Sequence, residues 1–346
     1  MRNEAAIQLH HLMRPLAAWL DDPATEDLCI NRPGEAFIRQ KGAFRRESVG
    51  LSIDDLEDIA TLAGALRKQD VGRRHPLCAT ELPDGERLQI CLPPAVPTGT
   101  VSLTIRKPGS SVAPLSTIAG RYETTRWNQW LKRRDARARN FGKLLAQYDD
   151  GDLEGFLHAC VAERLTILLC GATGSGKTTM SKTLIGAIDT SERLITIEDT
   201  LELVIPQPNH VRLLYSKDDI GQSHVTAEAL LQASLRMRPD RVLVQELRDE
   251  AAATYVHEVV SGHPGSITTI HGRDAPQAFK KLFALIKGSA QFHGWDDDTL
   301  IELLVTAVDV IIPFENRGQT YSIGEVWFSA DADRRGTTAA DLLRAA

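Results

Sequence analysis

Residues 168–184, LLCGATGSGKTTMSKTL, decide how this chain folds. The apolar run just before the glycines, LTILLCG (165–171), favours a buried strand, and TMSKTLIGAI (179–188) favours a helix. Between them stands the pattern GxxxxGK[ST], whose glycines let the backbone turn tightly and direct its N–H groups inward. This order of strand, loop and helix predicts an α/β domain with a phosphate site at a helix N-terminus.

The predicted phosphate site consists of nine consecutive residues: Gly171, Ala172, Thr173, Gly174, Ser175, Gly176, Lys177, Thr178 and Thr179. Lys177 is expected to reach the β- and γ-phosphates of a nucleotide, and the Thr178 hydroxyl is expected to hold Mg²⁺. The expected cofactors are therefore ATP and Mg²⁺. A glycine-rich turn without function would not explain the strand and helix on either side of the loop.

A second strand ends in the carboxylate that such a loop requires. In DRVLVQELRD (240–249) the apolar strand leads directly to Glu246. Ligands of parallel sheets bind at the C-terminal ends of the strands, so Glu246 is expected beside the phosphate loop. A carboxylate there holds the water shell of the metal or activates water. We predict that Thr178 and Glu246 form the metal site.

A third strand, in RLITIEDTLEL (193–203), also ends in acidic residues. Glu198 and Asp199 stand at its end, with Glu202 in reach. By the same argument these carboxylates are expected on the ligand side of the sheet. Taken alone, acidic side chains at the ends of strands are equally compatible with a solvated surface.

Two histidines flank another strand-like run in SGHPGSITTIHG (261–272). His271 follows that run and thus occupies a strand terminus on the predicted ligand side. There it is placed to donate a hydrogen bond to a γ-phosphate. A structural histidine is the alternative for His271 and also for His263.

The composition is typical of a globular protein that works inside the cell. The chain has 346 residues, 42% of them hydrophobic and 25% charged, with a net charge of −6. That charge argues against direct nucleic-acid binding through overall charge. No apolar run reaches the ~18–20 residues of a spanning helix, and residues 1–20 lack a signal-peptide layout. We expect a cytoplasmic protein whose membrane role, if any, is peripheral.

The cysteines do not predict a metal site. The chain has five, none of them in a CxxC pair and none beside a histidine cluster: Cys29, Cys78, Cys91, Cys160 and Cys170. They are expected to be reduced, buried side chains that pack as small apolar groups. A structural zinc is not expected.

Composition shifts divide the chain into four parts. We predict a smaller α+β amino-terminal domain (1–108), a basic linker (109–150), the α/β phosphate-binding domain (151–330) and a polar tail (331–346). The first part contains a helix over 4–20 with a kink at Pro15, a helix over 52–68 capped by Ser52, and strands around a Pro-Asp-Gly turn. In the third part, VDVIIPFE and TYSIGEVWFS are expected to form a hairpin.

The predicted linker contains an unusually basic stretch. Residues 121–143 carry eight lysines and arginines against two acids, with Trp127 and Trp130 among them. A solvated linker with a helix is one interpretation. The other is a basic surface that contacts acidic lipid or a neighbouring subunit.

Four segments in this order resemble one family, the secretion ATPases: the phosphate loop GATGSGKTT, the acidic box TIEDTLEL, the strand RMRPDRVLVQELRD and the histidine box SGHPGSITTIHG. These are the hexameric motors of type IV secretion and conjugative DNA transfer, and their relatives drive type II secretion and type IV pili. The resemblance is strong over residues 155–315. The segments GERLQICLPP and SLTIRKP also resemble the small domain of the type IV branch.

The resemblance implies a RecA-like P-loop ATPase domain in a ring of six subunits. ATP would lie between the two domains of a subunit, and closure of the small domain would follow the nucleotide cycle. The ring would sit at the cytoplasmic face of the inner membrane, bound peripherally to inner-membrane secretion-system proteins, and would power secretion or conjugative transfer and pilus assembly.

The resemblance also assigns roles to individual residues. Glu246 matches the Walker B glutamate, Glu198 matches the acidic-box residue that orders the attacking water, and His271 matches the histidine-box residue. Arg87 and Arg106 match small-domain arginines that approach the phosphates, where phosphoryl transfer requires positive charge. The alternative for both arginines is an ordinary exposed position on a strand.

One position departs from the family pattern. The family usually has glycine directly before the Walker B glutamate, and Gln245 stands here. A side chain at this point is expected to crowd or hydrogen-bond the water shell of the metal, which bears on the rate more than on the function.

Within the family, absent features select the branch. The chain has no tetracysteine zinc module and no long amino-terminal extension, both typical of type II secretion ATPases. Pilus retraction motors lack an obvious counterpart of residues 85–108. The type IV secretion and conjugation branch remains, with a type IV pilus motor as the alternative.

Three functions from other classes stay open on the sequence alone. A RecA-like translocase or helicase would need a basic, aromatic channel, for which 121–143 is the candidate. A metabolite kinase would leave the acidic and histidine boxes unexplained. A scaffold that binds nucleotide without turnover is opposed by Lys177, Thr178 and Glu246, although Gln245 leaves it open.

Overall fold

A computed structural model of the chain describes residues 2–108, 141–216, 225–259, 262–316, 318, 320–337, 341 and 343. The strands are β1 (Thr25–Arg32), β2 (Glu35–Gln40), β3 (Ala43–Ser48), β4 (Leu77–Glu81), β5 (Arg87–Cys91), β6 (Ser102–Arg106), β7 (Ile167–Gly171), β8 (Leu194–Glu198), β9 (His210–Leu214), β10 (Arg241–Val244), β11 (Ile267–Ile270), β12 (Val310–Asn316), β13 (Tyr321–Ile323) and β14 (Trp327–Phe328).

The helices are α1 (Arg2–Leu12), α2 (Ala17–Leu20), α3 (Ile53–Leu66), α4 (Gly142–Asp150), α5 (Leu153–Ala162), α6 (Lys177–Gly186), α7 (Ala227–Ser234), α8 (Ala251–Thr254), α9 (Ala275–Lys287), α10 (Asp297–Ala307) and α11 (Ser329–Arg335). A π-helical turn over Tyr255–Val259 continues α8, and short 3₁₀ turns cover Arg14–Leu16 and Ala290–Phe292. Within the described ranges, every helix is too short or too polar to cross a bilayer.

The amino-terminal part is a six-stranded antiparallel sheet with helices packed on it. Its strand order is β3-β2-β1-β6-β5-β4. Fully buried side chains such as Leu28, Ile38 and Ile90 fill the core between the sheet and α3. This is the α+β unit expected from the sequence. The predicted helix over 4–20 is interrupted more sharply than a kink, because α1 ends at Leu12 and Pro15 lies in a separate 3₁₀ turn over Arg14–Leu16.

Ser52 is the N-cap of helix α3, as predicted. The Ser52 hydroxyl accepts a hydrogen bond from the Asp55 N–H, and the Asp55 carboxylate accepts one from the Ser52 N–H at 2.8 Å. This reciprocal capping box satisfies two backbone donors that the first helical turn leaves open. Hydrogen bonds that the Ser52 hydroxyl and the Ser52 N–H donate to the Asp55 carboxylate lower the pKa of Asp55.

The carboxyl-terminal part is a mostly parallel sheet covered on both faces. One piece has the order β10-β8-β9 and the other β11-β7-β12-β13, with β14 paired antiparallel to β12. The two pieces adjoin where β10 and β11 lie side by side, joined by the Leu247 N–H to the Thr269 carbonyl at 2.8 Å. Strands β7, β8 and β10 are buried along their whole length, as parallel strands between two helical layers are. The predicted hairpin is present as β12 and β13.

Two segments assigned by composition to a linker and a tail contribute to this core. Helix α4, within the predicted linker, buries Leu144 in the same cluster as Phe156 and Phe328. Helix α11 begins before the predicted tail, and its Arg334 pairs with Asp149 of α4 at 2.6 Å. We therefore propose that the phosphate-binding domain extends from about residue 141 to about 337. Most of the basic stretch 121–143 lies outside the described residues, and so does the proposed lipid contact.

A buried arginine joins the two parts. Arg193, fully buried at the start of β8, donates from its guanidinium to Asn31 at 2.8 Å and to the Met237 carbonyl at 2.9 Å. Nearby, the Leu214 N–H donates to the Ala95 carbonyl at 2.8 Å. These contacts fix the amino-terminal sheet against the β9 and β10 side of the parallel sheet.

All five cysteines lie in the described residues, and all are buried and unpaired. Burial raises the pKa of Cys91 to about 12, and burial likewise raises the pKa of Cys170 to about 12. Both thiols thus stay protonated near neutral pH and pack as apolar groups.

Candidate nucleotide site

The loop between β7 and α6 requires glycine at the positions that the pattern specifies. A Cβ at Gly171 would lie 2.4 Å from the Ser175 hydroxyl and 2.5 Å from the Phe314 carbonyl oxygen, which is closer than any side chain tolerates. Gly174 and Gly176 adopt φ values of +74° and +100°, in the left-handed region that glycine favours. The backbone therefore curls into the phosphate-binding shape that the sequence predicts.

Lys177 folds over this loop from the first turn of α6. Its ammonium donates to the carbonyls of Gly171 and Ala172, both at 2.7 Å. An ammonium has three donors, and the described contacts use two of them, so one N–H is available to a phosphate oxygen. Burial lowers the pKa of Lys177, and the negative charge of Glu246 opposes that shift.

Strands β10 and β11 bring two predicted residues together. The Thr269 hydroxyl of β11 donates to the Gln245 carbonyl at 2.8 Å, which locks the ends of the two strands in register. His271 directly follows β11 and Glu246 is the second residue after β10, and the His271 Nε2 lies 3.0 Å from the Glu246 Oε1. The ends of β10 and β11 therefore lie side by side, as expected.

Glu246 lies between an arginine and a histidine. Arg248 forms an ion pair with one carboxylate oxygen, and His271 stands at the other. The Glu246 side chain is only 16% exposed, so its charge is weakly screened and acts on Lys177 across the site. Arg248 was not predicted as a site residue, although its position two residues after Glu246 was the available signal.

Glu198 has a different environment from the one predicted. It is fully buried, and its carboxylate accepts two hydrogen bonds from Arg212, at 2.9 and 2.7 Å. Its oxygens also accept from the Thr196 hydroxyl and from the backbone N–H groups of Glu202 and Leu203. A carboxylate with five donors around it has little capacity left to order water. These contacts fit a residue that fixes the acidic box, and they do not fit the predicted water-ordering role.

Gln245 makes contacts that the sequence did not predict. Its side-chain oxygen accepts from the Asp199 N–H at 3.1 Å, and its amide donates to the Glu202 carboxylate at 3.1 Å. This side chain connects the end of β10 to the acidic box. Glu202 is exposed and is thereby tied to the residue that precedes Glu246.

Arg87 and Arg106 lie opposite each other on β5 and β6 of the amino-terminal sheet. Arg106 is 57% exposed, and its Nε lies 3.6 Å from the buried carboxylate of Asp27, which Arg238 approaches from the parallel-sheet side. Burial raises the pKa of Asp27, and the surrounding arginines partly offset that effect. No hydrogen bond or ion pair in the described ranges links either predicted arginine to the phosphate loop. Their role at the phosphates stays a prediction.

A different arginine of the amino-terminal part, Arg73, lines a cleft together with Asp199 of the acidic box. This cleft of about 690 Å³ separates the two parts of the chain, and its walls include Glu57, Arg73, Asp199 and Tyr215. Asp199 lies 4.0 Å from Arg248, so this cleft opens next to Glu246. Burial raises the pKa of Tyr215 to about 12, which keeps its phenol neutral there.

The residues present fit a nucleotide with its divalent metal. The Ser175 hydroxyl is buried within the loop and has no hydrogen-bond partner among the described residues. Thr178 is partly exposed at the start of α6, where a metal between its hydroxyl and the phosphates is accessible. No cluster of three or more histidine, cysteine or acidic side chains occurs in the described residues. That is compatible with Mg²⁺, which keeps several waters and takes few protein ligands.

His263 lies away from this site. Burial lowers its pKa, and the backbone of Pro239 and the charge of Arg238 are its neighbours. These contacts favour the structural interpretation for His263.

Comparison with known proteins places this geometry in context. Residues 57–313 match the family model described as type II/IV secretion system protein. The chain is 66% identical to the protein VirB11 of Agrobacterium fabrum over 97% of this chain and 98% of that one. It is 37% identical to the type IV secretion system protein VirB11 of Bartonella quintana, over 95% of both chains.

A solved structure supports the same conclusion. The VirB11 ATPase from the Brucella suis type IV secretion system, crystallised with sulphate, superposes with a TM-score of 0.87 at 34% identity. The superposition covers 96% of this chain and 98% of that one. The predicted fold class, an α/β RecA-like ATPase domain after a smaller α+β domain, is thereby confirmed.

Proposed function

The chain belongs to the VirB11 family of type IV secretion ATPases, and from that premise we propose that it works as a Mg²⁺-dependent ring motor. ATP hydrolysis and a place in type IV secretion follow from the family. The proposal adds the metal, a hexamer, and docking on inner-membrane secretion proteins at the cytoplasmic face. The observation that carries it is the Glu246–His271 pair at 3.0 Å beside the lysine of a phosphate loop.

The chain's own residues divide the chemistry among them. The backbone N–H groups of the loop and the Lys177 ammonium bind the β- and γ-phosphates. When bound between Thr178 and Glu246, Mg²⁺ would neutralise charge that develops on the phosphates. His271 stands where it can donate to a γ-phosphate oxygen, and Arg248 keeps the Glu246 carboxylate in place.

We assign the ordering of the attacking water to Glu202 instead of Glu198. The Glu198 carboxylate is engaged by five donors, whereas Glu202 is exposed and held by Gln245 next to Glu246. A general base must be accessible to the water that it deprotonates, which Glu202 is. In this proposal the Glu198 carboxylate holds the turn on which Glu202 lies, and the Gln245 amide orients the Glu202 side chain.

Glutamine substitutions separate the two glutamates. We expect Glu202→Gln to lower kcat by about 10²-fold with an unchanged melting temperature, because it removes a base without breaking a buried ion pair. Glu198→Gln should instead lower the melting temperature markedly, since breaking a buried pair such as Glu198–Arg212 costs about 3–5 kcal/mol. Steady-state hydrolysis and thermal unfolding of both variants provide the measurement.

The reverse pattern would return the role to Glu198. That pattern is a stable Glu198→Gln variant without turnover beside a Glu202→Gln variant with normal turnover. Glu302→Gln, on the exposed side of α10, is the matched control and should change neither quantity.

Native mass and hydrolysis rate together test the proposed motor. We expect the purified chain to sediment at six times the mass of one chain when Mg²⁺ and ATP are present, and to lose turnover in EDTA. Single-stranded DNA at fixed salt should leave the rate unchanged, because a net charge of −6 does not favour contact with phosphate backbones.

Three results would contradict parts of the proposal. Full activity of a monomer at high dilution would remove the ring. Strong, saturable stimulation by DNA that weakens as salt rises would show that the chain itself binds DNA, and would favour the translocase. Equal activity in EDTA would exclude a metal requirement.

A further inference from the structure

The hairpin of β12 and β13 leans over the phosphate loop. The Asn316 side-chain amide, at the end of β12, donates to the Gly174 carbonyl of the loop at 3.1 Å. Asn316 pairs directly with Tyr321, the first residue of β13. Directly opposed residues of an antiparallel pair place their side chains on the same face of the sheet. The Tyr321 ring is therefore on the side of the hairpin that faces the loop.

The position of the Tyr321 ring agrees with this pairing. A Cβ built on Gly176 would lie 3.6 Å from the Tyr321 Cδ1, so the ring stands in contact range of the last glycine before Lys177. The residue is nevertheless 64% exposed, which is unusual for a large aromatic side chain. Asn316 holds the hairpin against the loop, while most of the Tyr321 side chain remains exposed to solvent.

Sheet order fixes the direction of a nucleotide on this loop. The loop follows β7, and the acidic and histidine residues follow β10 and β11, which lie on one side of β7. The γ-phosphate must point to that side, where Glu246 and His271 stand. The α-phosphate and the nucleoside then extend to the opposite side of β7, which is occupied by β12 and β13.

We propose that Tyr321 is the stacking platform for the base of the nucleotide. This rests on the proposed nucleotide orientation, with the γ-phosphate at Glu246. Stacking on an aromatic ring contributes about 1–3 kcal/mol per base and tolerates any base, because every base has a π face. The Tyr321 ring therefore adds affinity for a nucleoside without selecting adenine strongly, and it does not take part in the chemical step.

Two probes that differ only in the nucleoside test this role. Binding of ADP and of inorganic pyrophosphate to the full chain is measured by calorimetry, with Mg²⁺ present. We expect Tyr321→Ala to raise the Kd for ADP about tenfold, which corresponds to ~1.4 kcal/mol of stacking, and to leave the Kd for pyrophosphate unchanged. KM for ATP should rise in parallel while kcat stays constant, because the contact is equal in the ground and transition states.

Further variants test whether a change in ADP binding comes from the lost ring or from a disturbed hairpin. Tyr321→Phe keeps the ring and should bind ADP like the native chain. Tyr321→Leu keeps the apolar bulk but not the π face, and should resemble Tyr321→Ala. Trp295→Ala removes another exposed aromatic side chain, on the segment before α10, and should have no effect.

The outcomes are distinguishable from failure of the proposed function. A native chain that binds neither probe would overturn the phosphate site itself. A native chain that binds ADP, with Tyr321→Ala of equal affinity, would overturn only the stacking role. Equal weakening of ADP and pyrophosphate would also overturn it, since Tyr321 would then merely support the loop. A changed oligomeric mass with unchanged ADP affinity would make this ring a subunit contact instead.

Discussion

Replacing Lys177 by alanine should lower ATP turnover at least about 10²-fold and leave the fold intact. The ammonium is the cation that the loop itself supplies to the β- and γ-phosphates, and removing one donor from a developing charge typically costs 10²–10³ in rate. The fold should tolerate the change, because the ammonium contacts only backbone carbonyls of Gly171 and Ala172 within the described residues. Burial lowers the pKa of Lys177, which means that the folded state disfavours the charged ammonium relative to water.

Turnover and thermal shift should be measured on the same preparations. Native chain is expected to melt at a higher temperature when Mg²⁺ and ATP are added, since a ligand that binds only the folded state stabilises it. Lys177→Ala should keep the native melting temperature and lose most of that increase. Lys182→Ala, on the same helix, is the matched control and should behave as the native chain does. Normal turnover in Lys177→Ala would refute the assignment of this loop.

The parts of the site that follow strand ends could be predicted from the sequence. His271 directly follows β11, Glu246 is the second residue after β10, and Lys177 begins the helix after the loop that follows β7. Parallel strands align their carboxyl ends at one edge of the sheet. The local pattern therefore determines which side chains meet. The glycine positions follow for the same reason, because the backbone turn is local to the loop.

The parts that depend on side chains from distant elements could not be predicted. Arg212, on β9, forms an ion pair with the Glu198 carboxylate, and no residue pattern in the acidic box predicts that partner. The Gln245 side chain is oriented by Asp199 and Glu202 of the acidic box, which follows the neighbouring strand β8. Arg87 and Arg106 lie on a separate sheet, whose position relative to the loop is set by the buried Arg193 contacts and not by local sequence.

The two domain boundaries that we propose differ from those predicted from composition, for a physical reason. Helices α4 and α11 are short and carry many charges, so alone they resemble a linker and a tail. Their stability comes from each other and from the sheet: Arg334 pairs with Asp149, and Phe141 and Tyr148 pack against Phe328. Contacts between residues so far apart in sequence leave no periodic signal in either segment.

The second large effect is expected from Glu246→Gln, which should lower turnover about 10²–10⁴-fold while ATP still binds. The amide is isosteric, so it can still accept a hydrogen bond from Arg248, and the strand end keeps its shape. The change removes the negative charge that acts on Lys177 and that, in the proposed function, would hold the waters of the metal. Binding should be equal or tighter, because that charge also repels the γ-phosphate before the reaction.

Single-turnover hydrolysis and an ATP binding titration separate these effects. Glu246→Gln is expected to bind ATP with at least native affinity and to leave it almost uncleaved, a combination that assigns Glu246 to the chemical step. Loss of ATP binding together with a lower melting temperature would instead make Glu246 a structural partner of Arg248 and His271. Glu202, whose carboxylate is bound by the Gln245 amide, should give the same uncleaved complex when it is changed to glutamine. A double variant that is no slower than either single variant would show that the two carboxylates act on one water.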